Sequence, residues 1–158
     1  MIGSVAKMSD QPYIGPGVWI RIKHRFGPRM MEWFMAFHTA AWGYIVYSVP
    51  ELFSQPAWTG FSAVFRSSHW LGAIMMALGI VRVIGLIING ARKDVTPHIR
   101  QVSAGVGCMI WVGVTYCYAS SGVISTWLAI YPLFAIGELV NINRAAHDQG
   151  EAQHGKTG

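Results

Sequence analysis

Charge is what this sequence has least of. Among 158 residues there are 12 Lys or Arg and 7 Asp or Glu, so 12% of the chain is charged while 53% is hydrophobic; soluble globular domains carry roughly 25% charged residues. So little charge excludes an ordinary water-facing surface, and the apolar residues gather in runs close to the ~20 residues that a bilayer-crossing helix needs. Cysteine is also scarce. Cys108 and Cys117 sit in one apolar stretch nine residues apart, on opposite sides of a helix, which argues for packing thiols rather than a disulfide or a metal pair. A phosphate-binding glycine loop, paired metal-binding histidines on one helix face, and a nucleophile with its base are all lacking. No enzyme chemistry, metal or cofactor is therefore expected. The first 30 residues are polar, basic and rich in Gly and Pro, which does not fit a signal peptide.

What is present is hydrocarbon in four blocks, and the expected fold is all-α: an integral membrane bundle of four transmembrane helices. The first span covers residues 31–49 and stops at Pro50; the second covers 69–88 and stops at Asn89-Gly90. The third covers 99–119 and starts through Thr96-Pro97, a capping residue followed by proline at the first helical position. The fourth covers 124–142 and holds Pro132, which a membrane helix accommodates with a local kink. Trp33, Trp70, Tyr118 and Trp127 fall near span ends, where an aromatic belt would lie. The domain layout is a basic tail with an interfacial segment at 1–29, the spans at 30–142, and a polar tail at 143–158.

The positive charges set the orientation. Arg21, Lys23, Arg25 and Arg29 precede the first span, Arg92, Lys93 and Arg100 lie between the second and third, and Arg144 follows the fourth; the opposite side offers Arg66 alone. Both termini are expected in the cytoplasm, and the net charge of +5 is read as membrane topology rather than nucleic-acid binding. In GVWIRIKHRFG, Trp19, Ile22 and Phe26 recur at helical spacing, which fits a short helix on an anionic membrane surface. Trp58, Phe61 and Phe65 repeat the pattern in the loop at 54–68. An ordered loop is an equal alternative for both segments.

One residue breaks the pattern of the second span: Arg82, about 12 Å from its cytoplasmic end at 1.5 Å per residue. An unpaired arginine at the bilayer centre costs at least about 2.5 kcal/mol, so a partner is expected. Glu138 lies at similar depth on the fourth span, Asn141 follows on the same face, and His38 sits at comparable depth on the first. A polar cluster of His38, Arg82, Glu138 and Asn141 is geometrically possible. The alternative is that Arg82 snorkels to headgroups and His38 is a satisfied core histidine. Haem held by two histidines is disfavoured, because His38, His69 and His98 lie at unmatched depths. Small residues at Ala73, Ala77, Ser103, Gly105, Gly107, Cys108 and Gly113 would let helices approach closely, within the chain or between copies.

From the second span onward, the segments HWLGAIMMALGIVRVIGLIING, TPHIRQVSAGVGCMIW and ISTWLAIYPLFAIGELVNINRAAHD resemble a group of small membrane proteins encoded by tailed bacteriophages of proteobacteria. The resemblance covers about residues 69–148 and rests on Arg82, Asn89, Gly90, Thr96, Pro97, Arg100, Tyr131, Pro132, Glu138, Asn141 and Arg144. It implies a phage protein in the host inner membrane and carries no established activity; a non-enzymatic membrane protein is expected, with lysis of the holin type or exclusion of competing phages as its concrete forms. Its expected partners are the lipid bilayer, and further copies or another membrane protein. A small transporter or channel component, or a haem-type membrane anchor subunit, is the competing expectation.

Overall fold

A computed structural model of the chain describes residues 29–91 and 97–154. These residues form five α-helices and no strand: α1 (Met30–Ser48), the short α2 (Thr59–Val64), α3 (Ser68–Ala91), α4 (Pro97–Ser120) and α5 (Trp127–His154). Two 3₁₀ turns, Pro50–Ser54 and Pro56–Trp58, join α1 to α2. Helix α1 ends where the Val49 N–H still reaches the Ile45 carbonyl and the next residue, Pro50, has no N–H to give. Helix α4 begins on Pro97, where a missing N–H costs nothing. Between α4 and α5 the chain reverses through Gly122 at φ 70°, a conformation suited to glycine, and the Ser121 hydroxyl accepts the Val123 N–H at 3.2 Å.

Helix boundaries depart from the sequence reading in three places. Helix α3 runs through Asn89-Gly90 to Ala91; a glycine in a final turn costs only about 1 kcal/mol relative to alanine, too little to stop the helix alone. Helix α5 starts at Trp127 rather than 124, with Ile124 94% exposed in the turn. It also continues past 142 to His154, through a stretch whose three Ala and two Gln favour helix whether or not it meets an apolar surround.

The four long helices pack as two hairpins. Helix α1 lies along α3 and α4 along α5, whereas α1 touches α5 over a short stretch and α3 hardly approaches α4. The α1–α3 seam is built on glycines. A Cβ at Gly43 would meet the Gly72 carbonyl oxygen at 2.8 Å; at Gly72 it would meet the Tyr47 Cα at 2.6 Å; at Gly79 it would meet the Ala40 Cα at 2.6 Å. These backbones touch because no side chain stands between them. The expected small-residue positions are used differently: Gly105 and Gly113 face open space, Ala77 is exposed, and Gly107 serves another purpose described below.

Aromatic side chains fill the centre at the end where α1 stops and α5 starts. Trp42, Trp58, Phe61, Trp111, Tyr118 and Tyr131 form one buried cluster, with Tyr131 stacked on Trp111 at 5.6 Å and on Tyr118 at 5.2 Å. The 54–68 connection is therefore not an interfacial segment: Trp58 and Phe61 are 8% and 1% exposed and point inward beneath α2. Trp33 and Tyr118 are likewise buried rather than belt-forming, while Trp70 and Trp127 are outward-facing. Both cysteines are free and packed at or against this cluster. The basic segment containing Arg21, Lys23 and Arg25, with Thr96, lies outside the described residues.

Two helices are long and apolar enough to cross a membrane: Ser68–Ile88 and Ile99–Ser120, with mean hydropathies of 2.4 and 1.4 and only 28% and 33% of their most apolar stretch buried. A core helix of equal composition in a water-soluble protein would hide most of that surface. Here Ile80, Val81, Val102, Met109 and Val112 point outward while Glu138, Asn141 and Thr39 are buried. Helices α1 and α5 are diluted by Glu32, His38, Glu138 and Asn141.

The seam yields a direct test. Gly79→Ala should destabilise the fold by about 1–3 kcal/mol, the usual cost of overpacking, whereas Gly105→Ala should stay within about 0.5 kcal/mol. Denaturation of the purified chain in detergent measures both; equal effects would refute the seam.

Candidate functional site

Depth along the helices brings Arg82 of α3 and Glu138 of α5 face to face. The guanidinium donates from one terminal nitrogen to Glu138 Oε1 at 2.5 Å and from the other to Oε2 at 2.9 Å, a bidentate pair. Asn141, one turn further along α5, donates its amide to Oε2 at 3.1 Å. Glu138 is fully buried and the Arg82 side chain is 11% exposed, so each charge has exchanged water for the other. Helix α4 closes the site from the third side. A Cβ on Gly107 would stand 2.7 Å from both the Glu138 carboxyl carbon and the Arg82 guanidinium, so only glycine lets α4 pass over the pair.

A second ion pair lies nearer the end where α1 begins. Arg100, in the first turn of α4, donates through Nε to both oxygens of Glu32 at 3.1 Å and through a terminal nitrogen to Oε1. The two side chains are 8% and 11% exposed. Glu32 was not among the residues singled out from sequence, although the depth argument that joins Arg82 to Glu138 applies equally to it: Glu32 sits in the first turn of α1, level with the start of α4.

The two pairs are reciprocal. The α1–α3 hairpin contributes Glu32 and Arg82, and the α4–α5 hairpin contributes Arg100 and Glu138, so each hairpin gives one acid and one base to the other. Opposite signs on each side favour this docking over any slide that would juxtapose like charges. A third polar link crosses at the aromatic end, where Trp42 Nε1 donates to the Tyr131 hydroxyl at 2.9 Å.

His38 does not join the ion pair. Its ring packs against Phe134 at 4.4 Å, Trp111 at 5.2 Å and Phe34 at 5.9 Å, and its Nε2 is buried without a hydrogen-bond partner. Helical spacing from Phe34 directs it into this aromatic pocket rather than toward α3. Pro132 sits within α5 beside the buried Tyr131. Arg29 caps the start of α1, its carbonyl accepting the Trp33 N–H at 3.1 Å. Arg144 lies on the exposed side of α5. His69 Nδ1 donates to the Tyr47 carbonyl at 2.7 Å, which ties α3 to the end of α1. Among the described residues no group of three or more His, Cys, Asp or Glu could hold a metal.

Chemically, this arrangement is a brace. Both Glu138 oxygens already accept from Arg82, and one also accepts from Asn141. Removing one member of such a pair strands a buried charge and costs about 3–5 kcal/mol, whereas replacing both by apolar residues can be neutral. Arg82→Leu and Glu138→Leu should each therefore lower stability by that amount and the double variant by clearly less than the sum. Unfolding of the four proteins of this cycle in detergent measures it; strictly additive losses would mean the two groups do not act as a pair.

Compared with protein-family models, curated proteins and solved structures, the chain matches none.

Proposed function

We propose that the chain is a non-enzymatic, four-span protein of a bacterial inner membrane, with both termini in the cytoplasm, and that it works as a braced bundle assembling in or modifying that membrane. The observation that carries this reading is the inverted polarity: charged and amide groups are paired inside, while large aliphatic side chains cover the outside. Lipid would solvate that exterior, and water would not. At 1.5 Å per residue, α1 measures about 28 Å and α3 and α4 about 36 Å, which matches a hydrocarbon core of roughly 30 Å with modest tilt. Helix α5, about 42 Å long, would cross and then project its polar end, which includes Arg144, into the cytoplasm.

The resemblance of residues 69–148 to phage-encoded membrane proteins supports a host inner membrane as the setting. Of the two concrete roles, exclusion of competing phages suits the geometry better than holin-type lysis. A hole-forming protein must abandon its compact state, and two interlocking ion pairs oppose that. A transporter built on a His38–Arg82–Glu138 relay has less support, because His38 is packed among aromatic rings away from the pair.

Expression of the chain in a bacterial host tests both levels. It should resist carbonate extraction from the membrane fraction, and reporters fused at either terminus should show cytoplasmic activity. Cells carrying it should keep their membrane potential and lose plaques from at least one phage of a panel. Uniform plaquing would remove the exclusion role, and a terminus found in the periplasm would remove the four-span topology.

A further inference from the structure

Tyrosine and tryptophan divide sharply between the inside and the outside of the bundle. Trp33, Trp42, Trp58, Trp111, Tyr118 and Tyr131 are buried, whereas Tyr44, Tyr47, Trp70, Tyr116 and Trp127 are 44–68% exposed. All five outward rings lie at one end. Tyr44 and Tyr47 fall in the last five residues of α1, Trp70 is the third residue of α3, Tyr116 falls in the last five residues of α4, and Trp127 opens α5. At the opposite end the exposed side chains include Met30, Phe34, Ile87, Ile99 and Val140, and among the described residues no Tyr or Trp joins them.

Packing holds the five near a common level. His69, beside Trp70, bonds to the Tyr47 carbonyl and ties the start of α3 to the end of α1. Trp42 of α1 bonds to Tyr131 of α5, which stacks on Tyr118 of α4. Tyr116 lies two residues deeper than Tyr118, and Tyr47 five residues shallower than Trp42, so the band spans about 10 Å at 1.5 Å per residue. The polar layer on each side of a bilayer, between hydrocarbon and water, is of similar depth, roughly 5–8 Å.

We propose that these five rings form a collar that sits in the headgroup and ester layer of the periplasmic leaflet and fixes the depth of the bundle. The inference rests on the four-span membrane reading. The rings project from all four long helices, which surround the aromatic centre, so a second copy or a partner protein would cover one side of the collar and leave the others bare. A fluid interface reaches every side at once. Each ring has an apolar body and one polar tip, and none of the five tips has a hydrogen-bond partner among the described residues; the interface offers hydrocarbon to the body and acceptors to the tip. Deeper in the hydrocarbon each tip would go unsatisfied. Trp70 is twelve residues from Arg82 and Trp127 eleven from Glu138, about 17–18 Å of helix. With the collar at the edge of a roughly 30 Å core, the Arg82–Glu138 pair falls close to the bilayer midplane, where an unpaired charge is most costly.

The full chain, with Trp19 replaced by Phe throughout, would be reconstituted into phosphatidylcholine vesicles whose acyl chains carry bromine either just below the headgroup or near the chain end, and tryptophan fluorescence read. Shallow bromine should quench more strongly than deep bromine. Trp70→Phe combined with Trp127→Phe should remove most of that excess, and Tyr44→Trp should enlarge it; all three side chains face outward, so the fold is spared. Equal or stronger quenching by deep bromine would overturn the proposal, because the rings would then face the hydrocarbon core. So would an excess left unchanged by the paired substitutions, a Tyr44→Trp chain without added quenching, or no lipid quenching of a chain that resists carbonate extraction. A chain released by carbonate would instead overturn the membrane reading itself, so the two failures are distinguishable.

Discussion

A charge placed among hydrocarbon must be neutralised by something that cannot leave, and the whole architecture follows from how this chain meets that requirement. Arg82 on α3 is answered by Glu138 on α5, and Arg100 on α4 by Glu32 on α1. Neither pair lies within one hairpin. Each hairpin therefore carries a buried acid and a buried base that only the other hairpin satisfies, and separating them would strand all four. Burial of such pairs adds little net stability compared with apolar packing, but it penalises wrong docking heavily. The pairs thus specify which faces meet, while the aromatic cluster supplies contact area at the opposite end.

Two kinds of helix contact divide the labour. Within the α1–α3 hairpin, Gly43, Gly72 and Gly79 bring backbones together, so dispersion between closely spaced atoms holds them. Between the hairpins, Gly60 of α2 meets the Cys117 carbonyl of α4, and elsewhere long side chains hold the helices apart as well as together. Gly107 sits where these modes meet: α4 must come close enough to cover the pair, yet a single methyl group there would collide with the carboxylate.

Much of this was legible in the sequence because the relevant signals are one-dimensional. Apolar run lengths placed the ends of α1, α3 and α4 to within three residues but missed the polar extension of α5 from 142 to His154, and helical depth placed Arg82 level with Glu138. The same depth reasoning points to Glu32 and Arg100, but Arg100 was counted among the loop charges that set orientation, and Glu32 was not weighed as its partner. His38 was offered to the polar cluster on depth alone, beside the alternative of a core histidine; rotation about the helix axis, which sends it toward Phe134 and Trp111, was the missing coordinate. The glycine seam was obscured for a related reason, since a glycine facing a neighbour and one facing open space, such as Gly72 and Gly105, look identical in sequence. Segment 54–68 was ambiguous because spacing of Trp58 and Phe61 describes an amphipathic face without saying whether lipid or protein lies against it.

Helix α3 hardly approaches α4, and the groove this leaves between them is a geometric consequence of the same scarcity of charge. A chain with only a few buried charges cannot line an entire interface with ion pairs, and its close glycine-to-backbone contacts lie in the α1–α3 seam and where Gly60 of α2 meets the Cys117 carbonyl of α4, not between α3 and α4. Bridging by arginine fixes the hairpins at the reach of that side chain, wider than a glycine seam allows. Over the length where no arginine reaches, from Leu78 toward Phe65, the space between the aliphatic walls stays unfilled by protein. In water such a slot would close to hide its walls; in lipid nothing drives it shut, because a hydrocarbon chain covers those walls as well as leucine does. The brace that satisfies the buried charges is thus also what keeps the slot open.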